Sequence, residues 1–326
     1  MSDDNTSSAE TVVVTGGAGF IGSHLVDALL GRGARVHVID NLATGQRERV
    51  NPAAELHEID VADVDALIAF AHEHGPIARW YHLAAQADVR VSVDRPLFDA
   101  RTNVLGTIAV LEAATLHQAQ VVFSSTGGAM YGETQPPTPE SAREQPESPY
   151  GAAKLAAEKY IEANARLNSL PHAIVRFANV YGPRQDPHGE AGVVAIFGGI
   201  VLAGQRARIF GNGTQTRDYV YVGDVVDVTL RAGEFAQARS QSEWRNVPIW
   251  NVGTGTETSV LELWTAIQRV EGVDLGADFH PARAGELDRS ALDSSMARDI
   301  LAAPIDTSLD SGLARTIDWM RERAQG

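Results

Sequence analysis

Apolar runs of strand length alternate with helix-like segments along the chain. The runs are TVVVT, RVHVID, ARWYHLAA, AQVVFSST, HAIVRFANV and VPIWNVG. Between the first two lies GSHLVDALLGRG, in which Leu25, Val26 and Leu29 form an apolar stripe. Strands that alternate with helices in this way are typical of βαβ units. The pattern therefore predicts an α/β fold with a doubly wound parallel sheet.

The pattern becomes less regular after the run HAIVRFANV, with loops such as YGPRQDPHGEAG. We interpret this change as the start of a smaller α/β C-terminal substrate domain. The strand-like segments RDYVYVGDVV and VPIWNVG indicate that the chain returns to the first domain. The expected first domain is 11–178 with 218–255, and the expected second domain is 179–217 with 256–326. Residues 1–10 are acidic and polar, and we expect a disordered tail there.

Three glycines stand between the first predicted strand and the first predicted helix, in TVVVTGGAGFIGSHL. Gly16, Gly19 and Gly22 allow a tight turn and a close approach of the backbone to a pyrophosphate at the helix N-terminus. Asp40 ends the next strand, where a carboxylate can accept hydrogen bonds from an adenosine ribose and repel a 2′-phosphate. This combination predicts a Rossmann-type sheet that binds NAD rather than NADP.

Asp60 follows the third short strand and has two interpretations. It can contact the adenine edge of the dinucleotide, or it can cap the N-terminus of the next helix, and the sequence does not separate the two.

Composition excludes several classes of function. The chain of 326 residues has a net charge of −15, so nucleic acid is not expected as a partner, because phosphate binding needs clustered Lys and Arg. It contains no Cys, which excludes disulfides and thiolate chemistry. No apolar run reaches membrane-spanning length, and the N-terminus does not resemble a signal peptide, so we expect a cytoplasmic protein with no membrane partner. No histidines have the local spacing of a metal site, so no metal is expected.

The segment SPYGAAKLAAEKY reads as a helix in which Tyr150 and Lys154 share one face. Together with the glycine loop, HLAAQADV, FSSTGGAMYG and RFANVYGPRQ, it resembles the extended short-chain dehydrogenase/reductase family. Within that family, FGNGTQTRDYVYVGDVV and NVGTGTETSV resemble the NAD-dependent epimerase/dehydratase group and its bacterial UDP-glucose 4-epimerases. The resemblance runs from about Thr11 to near the C-terminus.

The resemblance implies a role for each residue of the Tyr-x-x-x-Lys pair. Tyr150 would be the catalytic base, and Lys154 would bind the nicotinamide ribose and favour the phenolate form of Tyr150. Thr126 would hydrogen-bond the substrate hydroxyl, with Ser125 as the alternative, because the stretch between the strand end and Tyr131 is one residue longer than is usual in the family.

By the same resemblance, NAD would contact the glycine loop, the strand ends and the catalytic helix. The implied cofactor residues are Gly16, Gly19, Phe20, Ile21, Gly22, Asp40, Asn41, Gly45, Asp60, Val61, Leu83, Ala84, Ala85, Gln86, Asn103, Ser124, Tyr150 and Lys154.

The substrate side is also implied by the resemblance. Arg side chains would neutralise the diphosphate, apolar side chains would line the site, and Glu286 would accept from the nucleotide ribose. The implied substrate residues are Thr126, Tyr150, Asn179, Val193, Val194, Phe197, Phe210, Arg217, Arg283, Glu286 and Ser290. Ser290 would flank the sugar C2 substituent, where a small side chain leaves room for an N-acetyl group.

The implied function is an NAD-dependent epimerase that inverts C4 of a UDP-hexose through a 4-keto intermediate, acting on UDP-glucose and UDP-galactose. The alternatives are a UDP-N-acetylhexosamine or uronate 4-epimerase, or a non-catalytic NAD-binding sensor of the same fold. Gly127 and Gly128 follow Thr126, so the Asp-Glu pair of the related 4,6-dehydratases is missing. The family also implies a homodimer through a four-helix interface.

Overall fold

The computed structural model describes residues 9–186, 192–282 and 287–325. Arg283 and Glu286, two of the residues expected to bind substrate, lie outside the described residues. Of the tail predicted for residues 1–10, only Ala9 and Glu10 are described, and the carbonyl of Glu10 accepts a hydrogen bond from Arg35 N at 2.9 Å.

The first half of the chain alternates strands and helices as the hydrophobic pattern predicts. Its strands are β1 (Thr11–Thr15), β2 (Arg35–Asp40), β3 (Glu55–Glu58), β4 (Arg79–His82), β5 (Gln120–Thr126) and β6 (Ala173–Phe177). Its helices are α1 (Phe20–Gly31), α2 (Val64–His74), α3 (Val89–Asp94), α4 (Pro96–Ala100), α5 (Gly106–Thr115) and α6 (Pro149–Asn168). A π-helical turn, Arg101–Leu105, joins α4 to α5.

The second half is less regular and has shorter strands. Its strands are β7 (Asn179–Tyr181), β8 (Ala207–Phe210), β9 (Thr216–Arg217), β10 (Tyr219–Tyr221), β11 (Ile249–Val252), β12 (Thr258–Ser259) and β13 (Ala277–His280). Its helices are α7 (Val193–Leu202), α8 (Val222–Ala238), α9 (Val260–Glu271), α10 (Ser295–Leu301) and α11 (Leu309–Gln325).

Within the described residues, the main sheet has seven parallel strands in the order β11-β6-β5-β4-β1-β2-β3. The order of the strands changes direction at β1. β2 and β3 follow on one side of it, and β4, β5, β6 and β11 follow on the other. Apolar side chains of β1 to β6 fill both faces of the sheet, under α1, α8 and α10 on one side and under α2, α5 and α6 on the other. The predicted α/β fold with a doubly wound parallel sheet is therefore confirmed.

A separate apolar core marks the smaller C-terminal unit. It is built from α7, α9 and α11 with the short strands beside them, and Trp264 and Leu263 lie at its centre. The expected domain ranges stay a prediction. β11 joins the main sheet, but β10 pairs with β7 outside it, and α10 packs against α8 and β11 although its residues were expected in the second unit. Among the described residues, no helix is both long and apolar enough to cross a membrane.

Candidate active site

The glycine loop between β1 and α1 is shaped by close backbone contacts. Gly16 has φ of +72°, in the left-handed region, and a Cβ there would lie 2.7 Å from the backbone nitrogen of Ala84. A Cβ on Gly22 would overlap the Gly16 carbonyl. Gly19 is the N-cap of α1 and offers no side-chain cap, so the first turn presents backbone N–H groups of the kind that bind phosphate. The loop therefore fits the pyrophosphate of a dinucleotide.

Asp40 at the end of β2 is tied to this loop. Its Oδ2 accepts from Ala18 N at 3.0 Å and its Oδ1 from Leu42 N at 2.9 Å, and the side chain is buried. A Cβ on Gly45 would lie 2.7 Å from Oδ1, so any larger residue at position 45 would displace the Asp40 carboxylate. Burial raises the pKa of Asp40, and the two backbone hydrogen bonds oppose that shift. A carboxylate has about four acceptor positions, so it can also accept from ribose hydroxyls.

The structure separates the two interpretations of Asp60. Asp63, not Asp60, caps helix α2, because its side chain accepts from Ala66 N at 3.1 Å. Asp60 Oδ1 accepts from Ala62 N at 2.9 Å in the loop after β3, beside buried Val61. Asp60 therefore lies at the same edge of the sheet as Asp40, where an adenine contact is possible.

The loop after β4 is fixed by a network of buried amides. Gln86 N donates to Asn103 Oδ1 at 3.1 Å, and Asn103 Nδ2 donates back to Gln86 O at 2.9 Å. Both side-chain amides also donate to Asp99 Oδ1, at 2.8 and 2.9 Å. Asn103 lies in the π-helical turn, a feature frequent at functional sites. This network holds the segment Leu83–Ala84–Ala85 against the glycine loop, where Ala84 N donates to Thr15 Oγ1 at 3.2 Å.

His82 is part of the scaffold beneath this loop. Its ring is hydrogen-bonded to Thr15 Oγ1 at 2.7 Å and to Thr107 Oγ1 at 3.0 Å. Burial, followed by the charge of Lys154, lowers the pKa of His82 to about 3, so the ring is neutral at pH 7. Its carbonyl accepts from Ser124 Oγ at 3.1 Å, which joins β4 to the end of β5.

Helix α6 carries the Tyr-x-x-x-Lys pair and starts at the sheet edge. Ser148 caps it by accepting from Gly151 N at 3.2 Å, and Pro149 occupies the first turn. Lys154 is buried, its Nζ donates to Ser124 O at 3.0 Å, and it lies 4.7 Å from the Phe123 ring centroid. Tyr150 is half-buried one turn earlier. The ammonium is thus fixed at the carboxyl end of β5.

The two candidate hydroxyls at the end of β5 have different surroundings. Ser125 is buried, and its Oγ donates to Glu158 Oε1 at 2.6 Å. Thr126 is half-exposed, and its Oγ1 accepts from Ala129 N at 3.2 Å. The Ser125 hydroxyl is committed to the core, whereas the Thr126 hydroxyl lies at the surface of the loop that faces the start of α6. This geometry favours Thr126 as the hydroxyl that contacts substrate.

Behind the site lies a buried ionic network that the sequence reasoning missed. Arg176 and Glu158 are fully buried and form two hydrogen bonds, at 2.9 and 2.6 Å. Arg176 also donates to Tyr131 Oη and to Glu144 Oε1, both at 2.8 Å. One signal was available, an Arg inside the apolar run HAIVRFANV, because a buried Arg requires a buried partner. The network joins β5, β6 and α6 directly beneath Thr126 and Lys154.

The substrate residues predicted near the sheet edge lie around the loop after Thr126. Asn179 is exposed at the start of β7, and its Oδ1 lies 3.8 Å from the Cβ position of Gly128. Leu292 packs onto Gly127 so closely that a Cβ there would overlap it. Ser290 is half-exposed two residues before Leu292. The segment that carries Ser290 is thereby held against the loop of Thr126.

Arg217 is half-buried in the same region and holds the backbone that follows the undescribed 283–286 segment. Its Nη1 donates to Leu287 O at 2.9 Å and to Thr216 O at 2.7 Å. The guanidinium therefore contacts the backbone at Leu287, the first described residue after position 282.

The predicted apolar lining is divided between surface and core. Val194 and Phe197 are 2% and 3% exposed, and Phe197 packs edge-on against Trp264 with ring centroids 5.2 Å apart. Their side chains lie in the core of the C-terminal unit rather than at its surface, because one face of α7 packs on α9. Val193 and Phe210 are half-exposed, so their expected role as lining residues stays a prediction.

Comparisons with known proteins agree with this fold. A model of the NAD dependent epimerase/dehydratase family matches residues 12–253. A UDP-glucose 4-epimerase of Mycolicibacterium smegmatis is 46% identical over 321 residues, which cover 96% of this chain and 99% of the relative. The structure of a UDP-glucose 4-epimerase of Thermotoga maritima with UDP-glucose is 41% identical with a TM-score of 0.90, covering 96% of this chain and 99% of that one. A Thermus thermophilus UDP-glucose 4-epimerase in complex with NAD is 39% identical with a TM-score of 0.86, covering 95% and 99%.

Proposed function

The chain belongs to the NAD dependent epimerase/dehydratase family, and on this premise we propose that it is an NAD-dependent epimerase that inverts C4 of UDP-hexoses. The substrates are UDP-glucose, which the names of its relatives print, and its C4 epimer UDP-galactose, which the name of a further similar structure prints. The observation that carries the proposal is the placement of Lys154 on Ser124 O, one turn from Tyr150, at the same sheet edge as the glycine loop and Asp40.

The cofactor fits the residues that are present. The Gly16–Gly22 loop leaves room for a pyrophosphate at the start of α1, and Asp40 has acceptor capacity for ribose hydroxyls. The buried Asp40 carboxylate also disfavours a 2′-phosphate, which supports NAD over NADP. When bound, NAD supplies the hydride acceptor and donor at sugar C4.

The chain's own side chains would then move the proton and hold the sugar. Tyr150 takes the 4-hydroxyl proton, and the fixed ammonium of Lys154 stabilises the phenolate that does so. Thr126 accepts or donates a hydrogen bond at the same hydroxyl. The 4-keto sugar turns within the pocket, and Tyr150 returns the proton after the opposite face has been reduced. Arg217, with Arg283 and Glu286, would hold the UDP moiety so that only the sugar turns.

Two other functions remain candidates. A UDP-N-acetylhexosamine 4-epimerase is favoured by one observation, the small half-exposed Ser290 at the position that flanks the sugar C2 substituent. An NAD-binding sensor without catalysis has no need of the buried Lys154 beside Tyr150. The cytoplasmic location and a role in galactose metabolism stay predictions.

The decisive experiment replaces the base. Tyr150→Phe should keep the fold and the bound NAD but lower the rate of UDP-galactose conversion to UDP-glucose by about 10²–10⁴-fold, because it removes only the general base. The assay contains no added reductant and reads the sugar ratio by chromatography. Tyr160→Phe on the same helix is the matched control, since Tyr160 is 48% exposed and far along α6. Near-normal turnover in Tyr150→Phe would refute the assignment.

The homodimer rests on exposed apolar side chains. The two helical segments expected at the interface are 100–116 and α6, which pack side by side; Leu105 in the first is 56% exposed and Leu167 in the second is 83% exposed. Two such helical segments from each chain would form a four-helix interface that covers these side chains. Light scattering should give the mass of a dimer, and Leu105→Ser with Leu167→Ser should shift it toward a monomer. Ile300→Ser, an exposed change on α10, should leave the mass unchanged. A monomeric wild type would contradict the proposal.

A further inference from the structure

Three histidines and a glutamate meet on one face of the main sheet, away from the catalytic residues. His37 on β2 is the register partner of Glu55 on the edge strand β3. Glu55 and His57 are two residues apart on that strand, so they share a face. His74 comes from the last turn of α2, which covers the same face. The four residues come from three separate elements, β2, β3 and α2, which is why local spacing gave no sign of a metal site.

The distances within this cluster match those of ligands around one small cation. One possible ligand atom each from His37, Glu55 and His74 lie within 4.8 Å of one another. His37 Nδ1 lies 3.6 Å from Glu55 Oε2 and 3.0 Å from His57 Nε2. Ligands at 2.0–2.2 Å from a tetrahedral zinc ion stand roughly 3.4 Å apart. Among the atoms of His37, Glu55 and His74, which lie within 4.8 Å of one another, the widest pair must close by at most about 1.4 Å to reach that spacing, and rotation of the half-exposed His74 and exposed Glu55 side chains can provide this.

The surroundings hold the donors in place without using all of them. Arg35 donates to Glu55 Oε1 at 3.0 Å, which leaves Oε2 toward His37. Phe70 packs against all three imidazole rings, with centroids 4.7 to 5.6 Å away, and forms an apolar wall on one side. His37 is fully buried, and its Nε2 has no hydrogen-bond partner among the described residues.

We propose that His37, Glu55 and His74, with His57 as the fourth ligand, form a structural zinc site that ties the edge strand β3 to β2 and to the end of α2. Imidazole and carboxylate donors suit Zn²⁺ among the common cations. All four positions are taken by protein, so the site resembles a structural rather than a catalytic one. The site lies between β2, which ends at Asp40, and β3, which precedes Asp60. It therefore braces the part of the sheet that is expected to bind the adenosine of the cofactor.

The test titrates zinc chloride into the full chain, purified with its cofactor and treated with a chelator, and follows the heat of binding. The expected result is one saturable site per chain. Co²⁺ in its place should give the visible absorption of a tetrahedral complex. Neither readout depends on epimerase turnover, so their failure and the failure of the proposed function are distinguishable.

Two variants and one control decide whether the named residues form the site. His74→Ala and Glu55→Gln should each weaken zinc binding at least about 10-fold and abolish the Co²⁺ absorption, because each removes a donor. His72→Ala on the same helix, where His72 is exposed, should bind as the wild type does. Glu55 is exposed, so its variant keeps the fold even if His74→Ala does not. No binding in the wild type, or unchanged binding in both variants, overturns the proposal.

Discussion

The start of helix α6 can be displaced by a single methyl group. A Cβ on Gly151 would lie 2.2 Å from the carbonyl oxygen of Ala129 and 2.9 Å from Pro146 Cβ, whereas ordinary contacts begin at 3.4 Å. Gly151→Ala therefore requires about 1.2 Å of separation between α6 and the loop that carries Thr126. Both atoms that it meets belong to rigid groups, a backbone carbonyl and a proline ring, so rotation of a side chain cannot relieve the overlap.

The consequence should be larger for catalysis than for stability. Overpacking of this kind costs about 1–3 kcal/mol in the free energy of unfolding. A misplacement of about 1 Å costs about 10²-fold in rate, because Tyr150 and Thr126 must hold the same hydroxyl. The assay compares kcat/KM for UDP-galactose with the urea midpoint of unfolding. Gly199→Ala on α7 is the control, since a Cβ there meets nothing within 4 Å. A Gly151→Ala protein with kcat/KM within about 3-fold of the wild type would refute the reasoning.

Two further predictions concern cofactor and substrate choice. Asp40→Asn should weaken NAD binding by about 10-fold or more and reduce the preference over NADP, because it removes the charge that faces the ribose; a wild type that prefers NADP in equilibrium dialysis would show that Asp40 has another role. Ser290→Tyr should abolish activity on UDP-N-acetylglucosamine and spare UDP-glucose, because filling a tight pocket costs about 1–3 kcal/mol or more. The measurement is kcat/KM for both sugars in the wild type and in the variant. A wild type that does not convert the N-acetyl sugar would contradict the prediction.

The sheet and the cofactor loop were predictable because their signals are local. A strand, a glycine turn and a helix are read from adjacent residues, and Asp40 follows at the end of the next strand. The close contacts of Gly16 and Gly22 are the physical reason for the glycine pattern. Tyr150 and Lys154 are likewise one turn apart on one helix, so their proximity follows from helical geometry alone.

What escaped prediction depends on residues that only the fold brings together. Asp63, rather than Asp60, caps α2. The cap residue depends on the exact residue at which the helix begins, and the sequence does not fix that position to within one or two residues. Glu158 and Arg176 read singly as a helix-surface acid and a strand-end base, yet they pair at the centre of the protein. Val194 and Phe197 are apolar on every reading, and only the packing of α7 on α9 shows which side of the helix they occupy.

The join between the two units shows why such contacts matter for the site. Asp218, just before β10, is buried and accepts four hydrogen bonds through its carboxylate. Oδ1 accepts from Thr254 N and Thr254 Oγ1, at 2.8 and 2.6 Å. Oδ2 accepts from Gly255 N at 3.0 Å and Leu292 N at 3.2 Å. Leu292 in turn packs onto Gly127, the neighbour of Thr126. One carboxylate thus fixes the segment of Ser290 relative to the loop that follows Thr126, so we expect Asp218 to influence the width of the proposed sugar pocket without touching the sugar.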